Sequence, residues 1–256
     1  MPQSERSYRP RRAVLFMPAS NEKAIAKLSS LACDAVIFDL EDSVAPGAKA
    51  AARERLKAWF ATRPKDGPEC LIRVNPLASE WGPDDVAAVC ACAPDAVLLP
   101  KVNTPRDIHD FDDALDEGVA PDDLRLWIMV ETPKAMLNIG ALAEFGRDRA
   151  ARLDCFVAGT NDLIKDTGVL ATPDRRYIMP WLLQMVLAAR AGEKAFSAGS
   201  ICAGWISVLP SKPMAAPSAH SLAKASRSRK LLLTPSRISR PPARAASTIC
   251  SSQGMM

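Results

Sequence analysis

Ala-Val-Ile-Phe-Asp-Leu-Glu (35–41) is a nearly unbroken apolar run that ends in two carboxylates. A short run of this kind fits a strand covered on both faces, as in a parallel sheet dressed with helices. Asp39 and Glu41 are two residues apart and so share one face of that strand. Two carboxylates side by side repel unless a cation, a proton or an arginine offsets them. Such crowding is costly for structure alone, so the run reads as a strand that delivers charge to a site. Asp42 points the other way and reads as a cap.

The same grammar repeats on either side. Residues 13–18, 70–74, 96–101, 126–131 and 155–159 are further β-type runs, and only 70–74 carries a charge, Arg73, inside it. Amphipathic stretches at 21–32, 48–62, 83–92, 104–117, 135–145 and 173–191 alternate with them. Ser20 is placed to cap the first, and Thr104-Pro105 puts proline at the first helical position of the fourth. Six βα units in a row predict a parallel α/β fold. A doubly wound sheet would need a glycine-rich turn after its first strand, and Met-Pro-Ala-Ser-Asn (17–21) has no glycine. Asp39, Glu41, Arg73, Asn75, Lys101, Glu131 and Asp162 all fall at or just past strand ends, where barrel enzymes build their sites. The expected architecture is therefore a (β/α)8 TIM barrel, cut short after about six units.

Composition narrows the class. The chain of 256 residues has room for one large domain or two small ones, and its 48% apolar content is ordinary for a globular protein. No charge-free apolar run reaches the roughly 18 residues of a membrane span, and the polar, basic start lacks a signal-peptide core; a cytoplasmic location is expected. The seven cysteines contain no CxxC pair and read as small core residues. Two histidines, His109 and His220, argue against a histidine-based zinc site.

The charge is uneven. Residues 194–256 hold nine Lys or Arg and no acid, so 33 basic residues less nine leave 24 against 29 acidic upstream, a net of −5 under an overall +4. The stretch from 193 is rich in Ser, Pro and Arg and shows no βα alternation; 201–209 is its nearest approach to a strand. It reads as disordered or translated out of frame, because a shifted GC-rich frame gives this bias. A basic tail suits nucleic acid, but Phe196 and Trp205 are its only aromatic rings for base stacking, which weighs against that reading.

Among the strand-end residues, spacing leaves alternatives open. Glu131 and Asp162 on adjacent strands can share a hard cation such as Mg²⁺, or be a strand end and a helix cap. Arg73 needs a partner wherever it is buried, either Asp39 or Glu41 or a substrate carboxylate. Lys101 is either a Schiff-base lysine or the partner of a nearby carboxylate.

Seven stretches resemble, in order and spacing, the HpcH/HpaI aldolase/citrate lyase superfamily, in its citrate lyase β-subunit-like branch. They are Arg-Arg-Ala-Val-Leu-Phe-Met-Pro-Ala-Ser-Asn (11–21), Val-Ile-Phe-Asp-Leu-Glu-Asp-Ser-Val-Ala-Pro (36–46), Lys49 to Arg53, Ile-Arg-Val-Asn (72–75), Leu-Pro-Lys-Val (99–102), Val-Glu-Thr-Pro-Lys-Ala (130–135) and Gly-Thr-Asn-Asp-Leu (159–163). The resemblance implies Mg²⁺ held by Glu131 and Asp162, and Arg73 gripping a 2-oxo acid. Asp39 and Glu41 would line the metal's outer shell and offer a base. Arg12, Phe16 and Pro18 would cradle CoA, with Lys101 lining the site. It also implies a trimer or a multiple of it, and cleavage of citryl-, malyl- or citramalyl-type CoA thioesters to a 2-oxo acid and acetyl-CoA or a homologue. Past 192 the family's Asp-Gly strand, Gly-Lys-x-x-x-His-Pro motif and C-terminal lid do not appear. An inactive or purely CoA-binding relative is therefore the alternative expectation.

Overall fold

The computed structural model describes residues 11–28, 31–64, 66–148, 151–192 and 195–197. Six parallel strands follow the six apolar runs: β1 (Val14–Pro18), β2 (Ala35–Asp39), β3 (Glu69–Arg73), β4 (Ala96–Leu99), β5 (Arg125–Val130) and β6 (Leu153–Ala158). A short seventh, β7 (Ala195–Ser197), pairs with β6. It lies past the expected end of the barrel pattern at 192 and had no signal in sequence, since three residues are too few to show periodicity. The stretch 201–209 and the rest of the basic tail from 198 lie outside the described residues.

Each strand pairs with its neighbour in the chain, in the order β1-β2-β3-β4-β5-β6-β7. A doubly wound sheet reverses order at a switch point; strictly consecutive order is barrel winding. Among the described residues the sheet is an open arc of that barrel. The helices between the strands are α1 (Glu22–Ala26), α2 (Lys49–Thr62), α3 (Gly82–Cys92), α4 (Pro105–Glu117), α5 (Pro133–Leu137), α6 (Ile139–Phe145), α7 (Thr160–Thr167) and α8 (Met179–Ala191). None is long and apolar enough to cross a membrane.

Local chemistry sets the helix ends. Asn21, not Ser20, caps α1, its Oδ1 accepting from Ala24 N at 3.0 Å. At α4 the Thr104 N–H donates to Asp107 Oδ2 at 2.8 Å, half of a capping box, with Pro105 at the first helical position. The expected single helix 135–145 breaks at Asn138 into α5 and α6. Residues 160–167, which none of the expected helices covered, form α7.

Alternation sorts the strand side chains onto two faces. Val36, Phe38, Ile72, Val97, Ile128 and Phe156 pack outward beneath the helices. Val14, Ile37, Leu71, Leu98, Trp127, Met129 and Val157 fill the inner face. The inner face ends in charge at both extremes. At the strand starts, Arg11 donates from Nε and Nη2 to the fully buried Glu69 at 2.8 and 2.9 Å, and from Nη2 to Asp154 at 2.6 Å. Its guanidinium lies 4.4 Å from the Trp127 ring centre. The strand ends carry the second charged layer.

Candidate functional site

Register brings the second layer together. Asp39 closes β2 and stands opposite Arg73, which closes β3. Arg73 donates from Nε to Asp39 Oδ1 at 2.7 Å and from Nη2 to Oδ2 at 2.6 Å. Asp39 also accepts the backbone N–H groups of Glu41 at 2.9 Å and Ser43 at 3.1 Å. Burial alone would raise the Asp39 carboxyl, but these donors outweigh it and hold it below the usual range. Of the two partners open to Arg73 in sequence, Asp39 takes the side-on pair. Nη1 faces Glu41 Oε2 at 2.8 Å. That approach is off the N–H direction, so Oε2 is buried in ion contact but without a hydrogen bond. Asp42 does not point away as expected, because its Oδ2 reaches within 3.3 Å of Nη1. Burial, partly offset by Arg73, pushes the Glu41 carboxyl up to about 7.

A second group lies on the next strand ends. Glu131 follows β5 and is 1% exposed, with Oε1 accepting the Lys101 backbone N–H at 2.7 Å. Asp162 sits in the first turn of α7. The Lys101 ammonium lies between them, 2.9 Å from Asp162 Oδ2 and 3.5 Å from Glu131 Oε1. This is the carboxylate-partner role for Lys101. Burial raises Glu131 to about 8, while Asp162, hydrogen-bonded to Lys101 and Glu131, is held below its usual range. The two carboxyls are thus pushed in opposite directions, Glu131 up and Asp162 down. This donor set fits a small hard dication. Two convergent carboxylates already accommodate a positive charge between them, and such ions take one or two protein carboxylates with substrate oxygens and water.

Phe16, inward from β1, places its ring 5.3 Å from the Arg73 guanidinium carbon. Pro18 ends β1 beside it and opens onto a cavity of about 510 Å³ lined by Ser20, Asn21, Glu22, Lys23, Ser43 and Arg55, with Arg55 donating to Glu22 at 2.8 Å. Arg12 is not brought here. It precedes β1, at the opposite end of the strands, with a 67% exposed side chain 4.0 Å from Asp34. Of the Arg-Arg pair it is Arg11 that turns inward, because Glu69 offers it a buried partner.

Lys49, Asn75 and Gly159 fall within stretches the sequence marked, but spacing assigned no role to Lys49 or Gly159 and did not show that Lys49 and Asn75 brace Glu41. A Cβ on Gly159 would stand 2.3 Å from the Glu131 Cβ. Gly159→Ala is therefore expected to displace Glu131, costing about 1–3 kcal/mol in urea unfolding and weakening cation binding together. Unchanged stability would show that the turn yields freely. Lys49, 3% exposed, donates to the carbonyls of Leu40 (2.6 Å) and Glu41 (2.8 Å) and to Asn75 Oδ1 (2.8 Å), pinning the turn that carries Glu41. Asn75 in turn donates to the fully buried Asp85 at 2.7 Å. A helix signal marked 48–62, but nothing in its pattern distinguishes a buried lysine from a surface one. Elsewhere, His109, Asp110 and Asp113 on α4 bring ligand atoms within 4.8 Å of one another. His109 already pairs with Asp113 at 3.1 Å, and this outer helix face is solvated surface.

The raised carboxyls set a pH dependence. A carboxyl whose folded pKa lies above its unfolded value binds its proton more tightly when folded. Its stabilisation is complete below the unfolded value, near 4.5, and is lost as pH rises through the folded values of about 7 and 8. With chelator present, the thermal midpoint is expected to fall between pH 5 and 8, and Mg²⁺ to flatten that fall. A midpoint that rises over this range would contradict the raised Glu41 and Glu131 carboxyls.

Comparison with known proteins identifies the family. The HpcH/HpaI aldolase/citrate lyase family matches residues 12–199. The (3S)-malyl-CoA thioesterase of Cereibacter sphaeroides is 40% identical over 182 residues, covering 71% of this chain and 60% of that protein. Escherichia coli citrate lyase subunit beta is 30% identical over 198 residues, 75% of this chain and 64% of that one. The mitochondrial citramalyl-CoA lyase of Rattus norvegicus is also 30% identical, over 73% and 59%. The chain thus spans about 60% of the length of these relatives. Among solved structures, CitE of Mycobacterium tuberculosis with magnesium, acetoacetate and coenzyme A is 26% identical at a TM-score of 0.57, covering 73% of this chain and 64% of that one. The same protein with oxaloacetate and magnesium gives a TM-score of 0.58. The chain belongs to the HpcH/HpaI aldolase/citrate lyase family.

Proposed function

We propose that this chain carries the metal- and oxo-acid-handling part of a Mg²⁺-dependent carbon–carbon lyase acting on citryl-, malyl- or citramalyl-type CoA thioesters. The gathering of Glu131 and Asp162 with Arg73 and Glu41 at one set of strand ends supports this reading. Glu131 and Asp162 would hold Mg²⁺, which when bound polarises the substrate's hydroxyl and carboxylate oxygens. Asp39 takes Nε and one Nη2 hydrogen of Arg73 and Asp42 accepts from Nη1, so a substrate carboxylate would meet the second Nη2 hydrogen. Glu41 is the better base of the acidic pair, because both Asp39 oxygens are spent on Arg73. It accepts the hydroxyl proton as the carbon–oxygen double bond forms and the adjacent C–C bond breaks. The bonding pair passes into the thioester carbonyl as an enolate, which then takes a proton at carbon to give acetyl-CoA or a homologue. CoA runs over Phe16 and Pro18 toward Lys23 and Arg55. A homotrimer or hexamer in the cytoplasm completes the proposal.

The 40% identity to a malyl-CoA thioesterase favours a second reading, hydrolysis of the thioester at the same site. Products separate the two. Incubation of the full chain with malyl-, citramalyl- and citryl-CoA, with Mg²⁺ or EDTA, is expected to give a 2-oxo acid with the thioester intact. Free CoA thiol with the hydroxy acid intact would instead establish the thioesterase. No Mg²⁺-dependent product of either kind would sink both.

A further inference from the structure

We propose that Asn103 is a positioning residue for Glu131, clamping the turn after β4 to the turn after β5. The inference rests on the reading of Glu131 as a metal ligand. Every polar group of Asn103 is engaged. Its backbone N–H donates to Asp107 Oδ2 at 2.7 Å, at the start of α4. Its carbonyl accepts Asn138 Nδ2 at 2.9 Å, at the junction of α5 and α6. Its Nδ2 donates to the Lys101 carbonyl at 2.9 Å, and its Oδ1 accepts from Thr132 Oγ1 at 2.6 Å. Thr132 Oγ1 accepts from Ala135 N at 3.0 Å, so its one proton is free to go to Asn103.

The two side-chain bonds reach the residues that fix Glu131. Thr132 is its immediate neighbour. Lys101 presents the backbone N–H that Glu131 Oε1 accepts, and it does so with φ at 55°. That left-handed conformation is uncommon for lysine and persists only where the surroundings over-determine it. The Asn103 amide supplies that constraint by holding Lys101's own carbonyl. In this arrangement Asn103 acts through its neighbours, holding the direction of a carboxylate at the end of another strand.

The test compares Mn²⁺ binding, followed by the free-ion paramagnetic resonance signal, with hydrogen exchange of the Lys101 amide in the full chain. Asn103→Ala is expected to weaken Mn²⁺ binding about 10–100-fold, the range for partners that orient metal ligands. It should also strip protection from the Lys101 amide. Thr132→Val should weaken binding, and Thr132→Ser should restore it by returning the donor. Wild-type affinity in Asn103→Ala, with protection at Lys101 retained, overturns the clamp. Should the unmodified chain bind no Mn²⁺, the metal reading fails. Exchange then decides the clamp alone, lost protection in Asn103→Ala supporting it and retained protection overturning it.

Discussion

Glu131→Gln is expected to weaken divalent-cation binding on the order of 10³-fold, more than the 10–100-fold typical of residues that only orient a ligand. The substitution is nearly isosteric. Its amide oxygen still accepts the Lys101 N–H, now made at 2.7 Å, so the turn after β4 keeps its shape. Only the charge is lost, at a site where burial strengthens each remaining electrostatic contact. The variant also removes a carboxyl that must otherwise bind a proton at about 8. Its thermal midpoint in chelator should therefore be less sensitive to pH between 5 and 8 than that of the unmodified chain. Calorimetric titration with Mn²⁺ measures the first effect and a melting series the second. Undiminished affinity would remove Glu131 from the ligand set.

Arg73→Met should cost about 3–5 kcal/mol, the penalty for leaving buried charges without their partner. Asp39 and Glu41 are 2% and 8% exposed, and Arg73 is the cation that both contact. In the unmodified chain Asp39 is held below its ordinary value, so its contribution is present above about 3.8 and lost as pH falls below that. In the variant the sign reverses, because both carboxyls are now raised by burial and the protein gains stability on acidification. Urea midpoints at pH 7 and 5 read this directly. A variant that loses stability between pH 7 and 5 would mean that Asp39 has another partner. Arg73→Lys should recover only part of the loss, since an ammonium cannot make the paired Nε and Nη2 bonds.

The strands were legible because burial on both faces leaves apolar runs that few other structures produce. The site carboxylates were legible because they interrupt those runs at their C-terminal ends. The partner of Arg73 was open in sequence among Asp39, Glu41 and a substrate carboxylate; register sets Asp39 directly across, and Glu41 also reaches the guanidinium. What sequence could not show depends on closeness in three dimensions. Gly159 is needed because the Glu131 Cβ lies where its own would be. Lys49 is buried because two carbonyls and an amide converge on it. Arg11 rather than Arg12 turns inward because of an acid 58 residues away. β7 is too short to leave a periodic trace, yet it adds a strand to the edge of the sheet.

Consecutive strand order has a kinetic consequence. The strand pairings join residues no further apart than Cys155 and Ala195, and the first joins Val14 to Ala35. Every unit therefore docks on the unit just made, and no pairing waits for a distant part of the chain. Loop-closure entropy is met in small instalments, which favours rapid assembly. A nascent chain leaving the ribosome can lay down this sheet from its first strand onward, gathering the charged strand ends one at a time. Asp39 meets Arg73 early in synthesis, and the Glu131–Asp162 pair forms only after β6 has emerged.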